Sequence, residues 1–438
     1  MKNRVGFKKK TIADIKLKGK RVLLRADFNV PQKNGQISDD FRLRAALPTI
    51  EYILKNEPKL LVIISHLGRP TSPKDQQFSL AAVAARLGKL LDKKVIFVPD
   101  CIGQPTAEAV SAAPEGSVLL LENLRFHGGE EKNDPDFAKA LVQATSAQVF
   151  VQDGFGVVHR AHASTLAITE LLPSVAGLLL AKEVETIERV MSDPARPLTA
   201  IVGGAKISDK LDVLNRFIEL ADCVAVGGAL ANNFLHTEKF SLGQSLTEPE
   251  SYDEAHEILV KARQAEKERP FKFLVPVDVV VSRSPDGRSA TRVVDLASHS
   301  LADIESYPAK PKHPSFSVAA DEKILDIGPV SAGLIAGAVG ISQTVVWAGT
   351  LGVTETLGLA GAEAPFAHAS NIVAEAIIGA SNQHAHKPFS VVGGGDTVSY
   401  IQQQGWAEDF SHVSTGGSAS LELMAGHKLP GVEALENK

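Results

Sequence analysis

The chain runs to 438 residues, 44% hydrophobic and 22% charged, with a formal net charge of −5 and two cysteines. That length leaves room for about two to three domains, and the charge argues against a general nucleic-acid binder. Two cysteines exclude a disulfide scaffold and suit a reducing cytosol. Cys101 and Cys223 each sit in an apolar setting and read as core. Lys8-Lys9-Lys10 near the amino terminus is not followed by an apolar run, so no signal peptide is expected. No apolar run reaches the roughly 18 residues of a membrane span, and a cytoplasmic location is expected.

Arg21-Val22-Leu23-Leu24-Arg25-Ala26-Asp27-Phe28-Asn29-Val30-Pro31 reads as a strand with a polar tip and a proline stop. Asp27 and Asn29 alternate onto one face there. Ligands of open α/β sheets bind beyond the carboxyl ends of strands, although Asp and Asn also satisfy turn backbone. Asp39 or Asp40 can cap a helix with Leu43, Ala46, Leu47, Ile50 and Leu54 as its apolar face. Arg42 in its first turn opposes the helix dipole, which favours a role facing an anion.

The unit then repeats. Leu60 to Ile64 is a buried strand leading into Ser65-His66-Leu67-Gly68-Arg69-Pro70, and a helix with Leu80, Val83, Leu87 and Leu90 follows. Val95 to Val98 is the next strand. Val118 to Leu121 leads into Glu122-Asn123-Leu124-Arg125-Phe126-His127, and Val149 to Val151 leads to His159-Arg160-Ala161-His162. Alternating strands and helices imply a parallel, doubly wound α/β sheet. Arg69, Arg125 and Arg160, with His66, His159 and His162, then fall at one edge of it. Cations so gathered repel unless an anion joins them, and Arg favours bidentate phosphate or carboxylate. His159 and His162 could also hold a metal, but Arg160 between them points to an anion.

Leu178 to Asp193 reads as one helix, broken by Pro194, Arg196 and Pro197. This marks a domain boundary. Leu198 to Val202 opens a second series, ending in Gly203-Gly204-Ala205-Lys206. A helix follows through Leu211, Leu214 and Ile218, on whose face Lys206 and Lys210 are expected four apart. Cys223 to Val226 meets Gly227-Gly228, and Thr344 to Trp347 meets Ala348-Gly349. Pro276 to Val281, with Gly287 as a turn, suggests a small β excursion. Phe389 to Val392 ends in Gly393-Gly394-Gly395-Asp396-Thr397, with a helix expected from Asp396 to Gln404 and stopped by Gly405.

A strand, a glycine turn and a helix N-terminus make an anion site. Asp396 suits it if a cation such as Mg²⁺ lies between carboxylate and phosphate; the other reading makes Asp396 a plain N-cap. Repeated glycine turns at strand ends suggest a nucleotide cleft. The halves show no sequence repeat.

RVLLRADFNVP, SHLGRP, LLENLRFH, HRAH, GGAK-x3-K, LDIGP, GGGDT and STGGSASLELMAG, in this order over a stretch from about Arg21 to Pro430, resemble phosphoglycerate kinase. The resemblance implies two doubly wound parallel-sheet, Rossmann-like domains joined by a hinge helix. Residues 1–180 with the tail 416–438 would bind phosphoglycerate, 181–197 would connect, and 198–415 would bind nucleotide. It implies a monomer that moves a phosphoryl group between MgATP and the carboxylate of 3-phosphoglycerate, in glycolysis, gluconeogenesis or carbon fixation. No nucleic-acid or membrane partner is expected.

Carried over by motif, Asp27, Phe28 and Asn29 would hold the glycerate. Arg42, His66, Leu67, Gly68, Arg69, Arg125 and Arg160 would surround its phosphate and carboxylate. Lys206 and Lys210 would face the phosphates, Gly227 and Gly228 the adenine, and Glu355 the ribose. Asp396 would hold Mg²⁺ beside Gly394, Gly395 and Thr397. Arg42 and Lys206 would be the catalytic cations.

One loop departs from the family pattern of Trp-Asn-Gly-Pro followed by Gly-Val-Phe-Glu. It reads Trp347-Ala348-Gly349-Thr350-Leu351-Gly352-Val353-Thr354-Glu355. This leaves two alternatives, a non-catalytic nucleotide- or phosphoglycerate-binding relative and a kinase for another small phosphorylated acid.

Overall fold

A computed structural model describes residues 6–33, 35–72, 75–296, 317–359, 364–380 and 387–438. The chain divides into two units, one reaching to Glu188 and including His427–Lys438, the other Arg189–Gly426.

The apolar runs of the first unit become strands β1 (Arg21–Arg25), β4 (Leu60–Ile64), β5 (Val95–Val98), β6 (Ser117–Leu121), β7 (Val149–Gln152) and β8 (Ser174–Ala176). A small hairpin, β2 (Gln32–Lys33) and β3 (Gln36–Ile37), follows β1. The sheet order is β5-β6-β4-β1-β7-β8, parallel throughout. Both faces are buried because successive side chains point to opposite sides. Val22, Leu24, Leu61 and Ile63 pack with Leu43, Ile50, Val83 and Leu87 of helices Phe41–Lys55 and Ala81–Leu91. Leu23, Leu60, Val62 and Ile64 pack the other way, with Val110, Phe137 and Leu141 of helices Gly103–Ala112 and Pro135–Thr145. The chain's last residues close this unit: Lys10 N–H donates to Glu436 O at 2.7 Å and Glu436 N–H to Ser174 O at 3.0 Å.

The helix Leu178–Ser192 runs across the boundary between the units. The second unit then builds β9 (Leu198–Val202), β10 (Cys223–Val226), β11 (Lys272–Leu274), β15 (Thr344–Ala348), β16 (Phe389–Gly393) and β17 (His412–Val413) into a parallel sheet, in the order β11-β10-β9-β15-β16-β17. The excursion expected near Val277 is a separate antiparallel sheet, in which β12 (Asp278–Ser282) lies between β13 (Thr291–Asp295) and β14 (Lys323–Ile327). Both cysteines are buried and free. Among the described residues, no helix is long and apolar enough to cross a membrane.

Three local expectations are corrected. Lys206 and Lys210 share no helical face, since Lys206 is in a loop and Lys210 ends a 3-10 turn, Ser208–Lys210, ahead of helix Leu211–Leu220. The helix after the triple glycine is Gly395–Gln403, capped by Gly394 at φ 84°, so Asp396 is inside its first turn and is not the N-cap. At the helix bearing Arg42, Asp40 holds the cap position without a capping bond, and of the two aspartates it is Asp39 whose Oδ1 accepts from the first helical N–H, that of Phe41, at 2.8 Å. The Asp40 carboxylate instead pairs with Arg44 at 2.7 Å and with Arg86 at 2.5 Å.

Candidate active site

Arg25, the last residue of β1, is in register with both Ile64 and Gln152. The loops after β1, β4 and β7 therefore leave the sheet at one level. They bring Asp27, His66 and Arg160 to the same edge, with Arg125 following β6.

Arg42 reaches this edge from the first turn of its helix. Its Nη1 donates to Asp27 Oδ2 at 2.9 Å and to Asn29 O at 3.3 Å. Asn29 Oδ1 accepts from Gly68 N–H at 2.8 Å, and Gly68 O accepts from Arg125 Nη1 at 2.7 Å. Leu67 N–H is held at 3.2 Å by Asn123 Oδ1, and Phe28 N–H donates to Ser65 Oγ at 2.8 Å. A continuous chain of bonds thus links Arg42, Asp27, Asn29, Gly68 and Arg125. Arg69 is exposed, and Arg160 is half-buried with its Nε bonded to His159 Nε2 at 3.0 Å. Asn29, Leu67 and Gly68 also line a cavity of about 700 Å³.

The histidines do not add charge to this edge. Burial, and then Arg25, Arg125 and Arg42, hold His66 well below its ordinary pKa. Burial pushes His159 and His162 down to about 4, helped by Arg160 for the first and Arg125 for the second. All three are neutral at pH 7. The positive field comes from the arginines alone. Burial also lowers Arg125, and Arg160 and Arg69 oppose its charge further while Glu131 supports it. Arg125 Nε lies 3.1 Å from Glu131 Oε1 without the alignment of a hydrogen bond.

Two residues essential to this arrangement escaped the sequence reading. Arg25 is 1% exposed and binds Ser164 Oγ at 2.8 Å, Ala26 O at 2.5 Å and His66 Nδ1 at 3.3 Å. Glu130 is fully buried, 3.9 Å from Arg25 and 3.8 Å from His162, and accepts from Ser164 Oγ at 2.6 Å. A charged residue at the end of an apolar strand was the available signal for Arg25. Glu130 had none.

In the second unit a cavity of about 680 Å³ is lined by Gly204, Gly228, Thr350, Glu355 and Asp396, among others. Its floor is backbone packed on backbone. Gly204 N–H donates to Thr350 O at 2.8 Å and Gly228 N–H to Leu351 O at 2.9 Å. Gly349 has φ 105°, and a Cβ there would sit 2.1 Å from Gly203 O, so only glycine fits. Gly349 N–H donates to Thr397 Oγ1 at 2.7 Å, tying this loop to the helix that carries Asp396. Gly227 is buried behind Gly228. Lys210 Nζ stands 3.2 Å from where a Gly204 Cβ would be. Burial lowers its pKa, opposed by Asp209 and Asp396. Lys206 and Glu355 are exposed. The sequence reading had not placed Asp326, Lys323 or Gln244, which also line this cavity.

The sequence pattern of the family described as phosphoglycerate kinase matches residues 12–427. The chain belongs to the phosphoglycerate kinase family. It is 41% identical to the phosphoglycerate kinase of Pelotomaculum thermopropionicum over 430 residues, covering 98% of this chain and 100% of that protein. The structure of phosphoglycerate kinase from Coxiella burnetii is similar with a TM-score of 0.76 at 33% identity, covering 97% of this chain and 98% of that one. That from Pyrococcus horikoshii has a TM-score of 0.76 at 29% identity, with the same coverage. The activity is that of a glycolytic phosphotransferase whose acceptor is a carboxyl group. Nothing in these likenesses favours the non-catalytic alternative.

Proposed function

We propose that the arginine edge of the first unit binds 3-phosphoglycerate and that the glycine-floored cavity of the second binds MgATP or MgADP. The observation that carries this reading is the bonded chain from Arg42 through Asp27, Asn29 and Gly68 to Arg125. It fixes two guanidinium groups, those of Arg42 and Arg125, at one edge of the sheet while the neighbouring histidines stay neutral. Such a set suits a small, multiply charged anion.

The acceptor carboxylate is ionised at pH 7, so no general base is required. What remains is alignment and neutralisation of charge on the moving phosphoryl group. Asp27 and Asn29 accept from and orient the glycerate. Arg69, Arg125 and Arg160 hold its phosphate. Arg42 and Lys206 are the cations assigned to the transition state, and Lys210 faces the nucleotide phosphates. Gly228 borders the base and Glu355 the ribose.

The residues present suit magnesium. Asp396 offers an exposed carboxylate in the first turn of a helix whose free N–H groups favour phosphate. Bound there, the ion would neutralise phosphate charge. We further assign the joint around Leu178–Ser192 the role of a hinge, and the chain a monomeric, cytosolic existence. A coupled assay tests the reading: 3-phosphoglycerate with MgATP should yield an acyl phosphate and MgADP, and the reverse reaction should run. Nucleotide binding without turnover in either direction would instead favour a sensor.

A further inference from the structure

Away from the residues assigned above, Asp100 and Cys101 follow β5, and His127 ends the turn Leu124–Phe126 after β6. Asp100 Oδ1, Cys101 Sγ and His127 Nε2 all lie within 4.8 Å of one another. Asp100 and Cys101 are neighbours in sequence, and the fold brings the imidazole of His127, from the loop after β6, beside their carboxylate and thiol. We propose that Asp100, Cys101 and His127 form a site for a thiophilic divalent cation of the Zn²⁺ type.

The donor chemistry selects the ion. Sulfur and imidazole nitrogen suit Zn²⁺, whereas Mg²⁺ and Ca²⁺ prefer all-oxygen shells. Tetrahedral coordination at ordinary bond lengths places donor atoms roughly 3.3–3.8 Å apart. Asp100 Oδ1 and His127 Nε2 are now 2.7 Å apart, sharing a hydrogen. Side-chain adjustments of about 1 Å or less therefore reach the required spacing. His127 and Asp100 are half-buried, which leaves a path for the ion and an open fourth position for water. The nearby carboxylates of Glu122 and Glu130 add negative charge, opposed by Arg25.

The proton balance is simple. Cys101 Sγ now donates to Glu122 O at 2.8 Å. On binding, the S–H bond breaks, a sulfur–metal bond forms and one proton leaves to solvent. His127 Nε2, whose hydrogen now points to Asp100 Oδ1, releases that hydrogen to solvent while Nδ1 takes one up, so the ring stays neutral, presents the Nε2 lone pair and leaves the net release at one proton. Affinity therefore rises with pH. The bound ion would clamp the loop after β5 to the loop after β6.

Co²⁺ titrated into the full chain is the direct test, because a thiolate ligand gives a near-ultraviolet charge-transfer band. One ion per chain should bind with that band, and Zn²⁺ should displace it. Cys101→Ser should abolish the band, while Cys223→Ser should keep it. His127→Gln, a half-exposed position, guards against misfolding of the buried Cys101 variant. It should weaken Zn²⁺ more than about tenfold and cancel any rise in Tm that Zn²⁺ gives the wild type. Absence of a band in the wild type, or a band unchanged in Cys101→Ser, would overturn the proposal.

Discussion

Arg42 Nη1 is 2.9 Å from Asp27 Oδ2, an ion pair joining the first turn of a helix to the tip of the central strand β1. The Asp27 side chain is 6% exposed and that of Arg42 25%. The pair fixes the guanidinium at the edge and leaves part of it open to a ligand. Arg42→Ala should therefore lower kcat by about 10²–10³, as loss of a transition-state donor does, with a smaller change in KM for 3-phosphoglycerate. Steady-state kinetics decide this. A raised KM with near-normal kcat would assign Arg42 to ground-state binding.

Thr350 lines the cavity of about 680 Å³ in the second unit, and Ala348 is fully buried at the end of β15. In this family Asn and Pro usually stand at those two positions; of Ala348 and Thr350, only Thr350 carries a side-chain donor, and we propose that it serves the nucleotide phosphates. Thr350→Val removes the hydroxyl at constant size. It should raise KM for MgATP about tenfold, the worth of one hydrogen bond to a charged group. Ala348→Gly should change it less. Equal effects would remove Thr350 from phosphate handling.

Gly349→Ala places a methyl group against Gly203 O in a backbone conformation that L-residues rarely adopt. Strain of about 1–3 kcal/mol is expected from the conformation alone. A lower Tm and weaker ADP binding should appear together, with 3-phosphoglycerate binding retained. An unchanged Tm would contradict the close packing of these two loops.

Asp153 follows β7 directly and accepts from Leu180 N–H at 3.1 Å, while its Oδ2 is buried without a hydrogen-bond partner. Burial pushes its pKa up to about 7. The folded state thus keeps a proton that the unfolded chain releases near the ordinary carboxyl value. Stability then falls as pH rises between those two values and levels off above about 7. The slope this group adds is at most about 1.4 kcal/mol per pH unit. Asp153→Asn should remove it, making the variant more stable than the wild type above neutrality. Parallel denaturation curves for the two proteins from acid to neutral pH would refute this assignment.

Much of this was legible because buried parallel strands leave β-branched apolar runs, and their polar exits name the edge. Leu60–Ile64 and Phe389–Gly393 are of this kind. Ser174–Ala176 and His412–Val413 were not, since two or three residues carry no periodicity. Spacing alone suggested a shared helical face for Lys206 and Lys210, but the backbone turns as a 3-10 segment first. The neutral state of His66 depends on burial, and the place of Glu130 beneath Arg25 depends on a contact far along the chain. Neither leaves a mark in local sequence.

The central claim is that each unit holds its own substrate, and titration calorimetry of two variants with two ligands tests it most directly. Arg125→Ala should lose affinity for 3-phosphoglycerate by about tenfold or more while MgADP binding stays unchanged. Lys210→Ala should do the reverse. If either variant, still folded, weakened both ligands equally, or the ligand assigned to the other unit, the separation of the two sites would be contradicted.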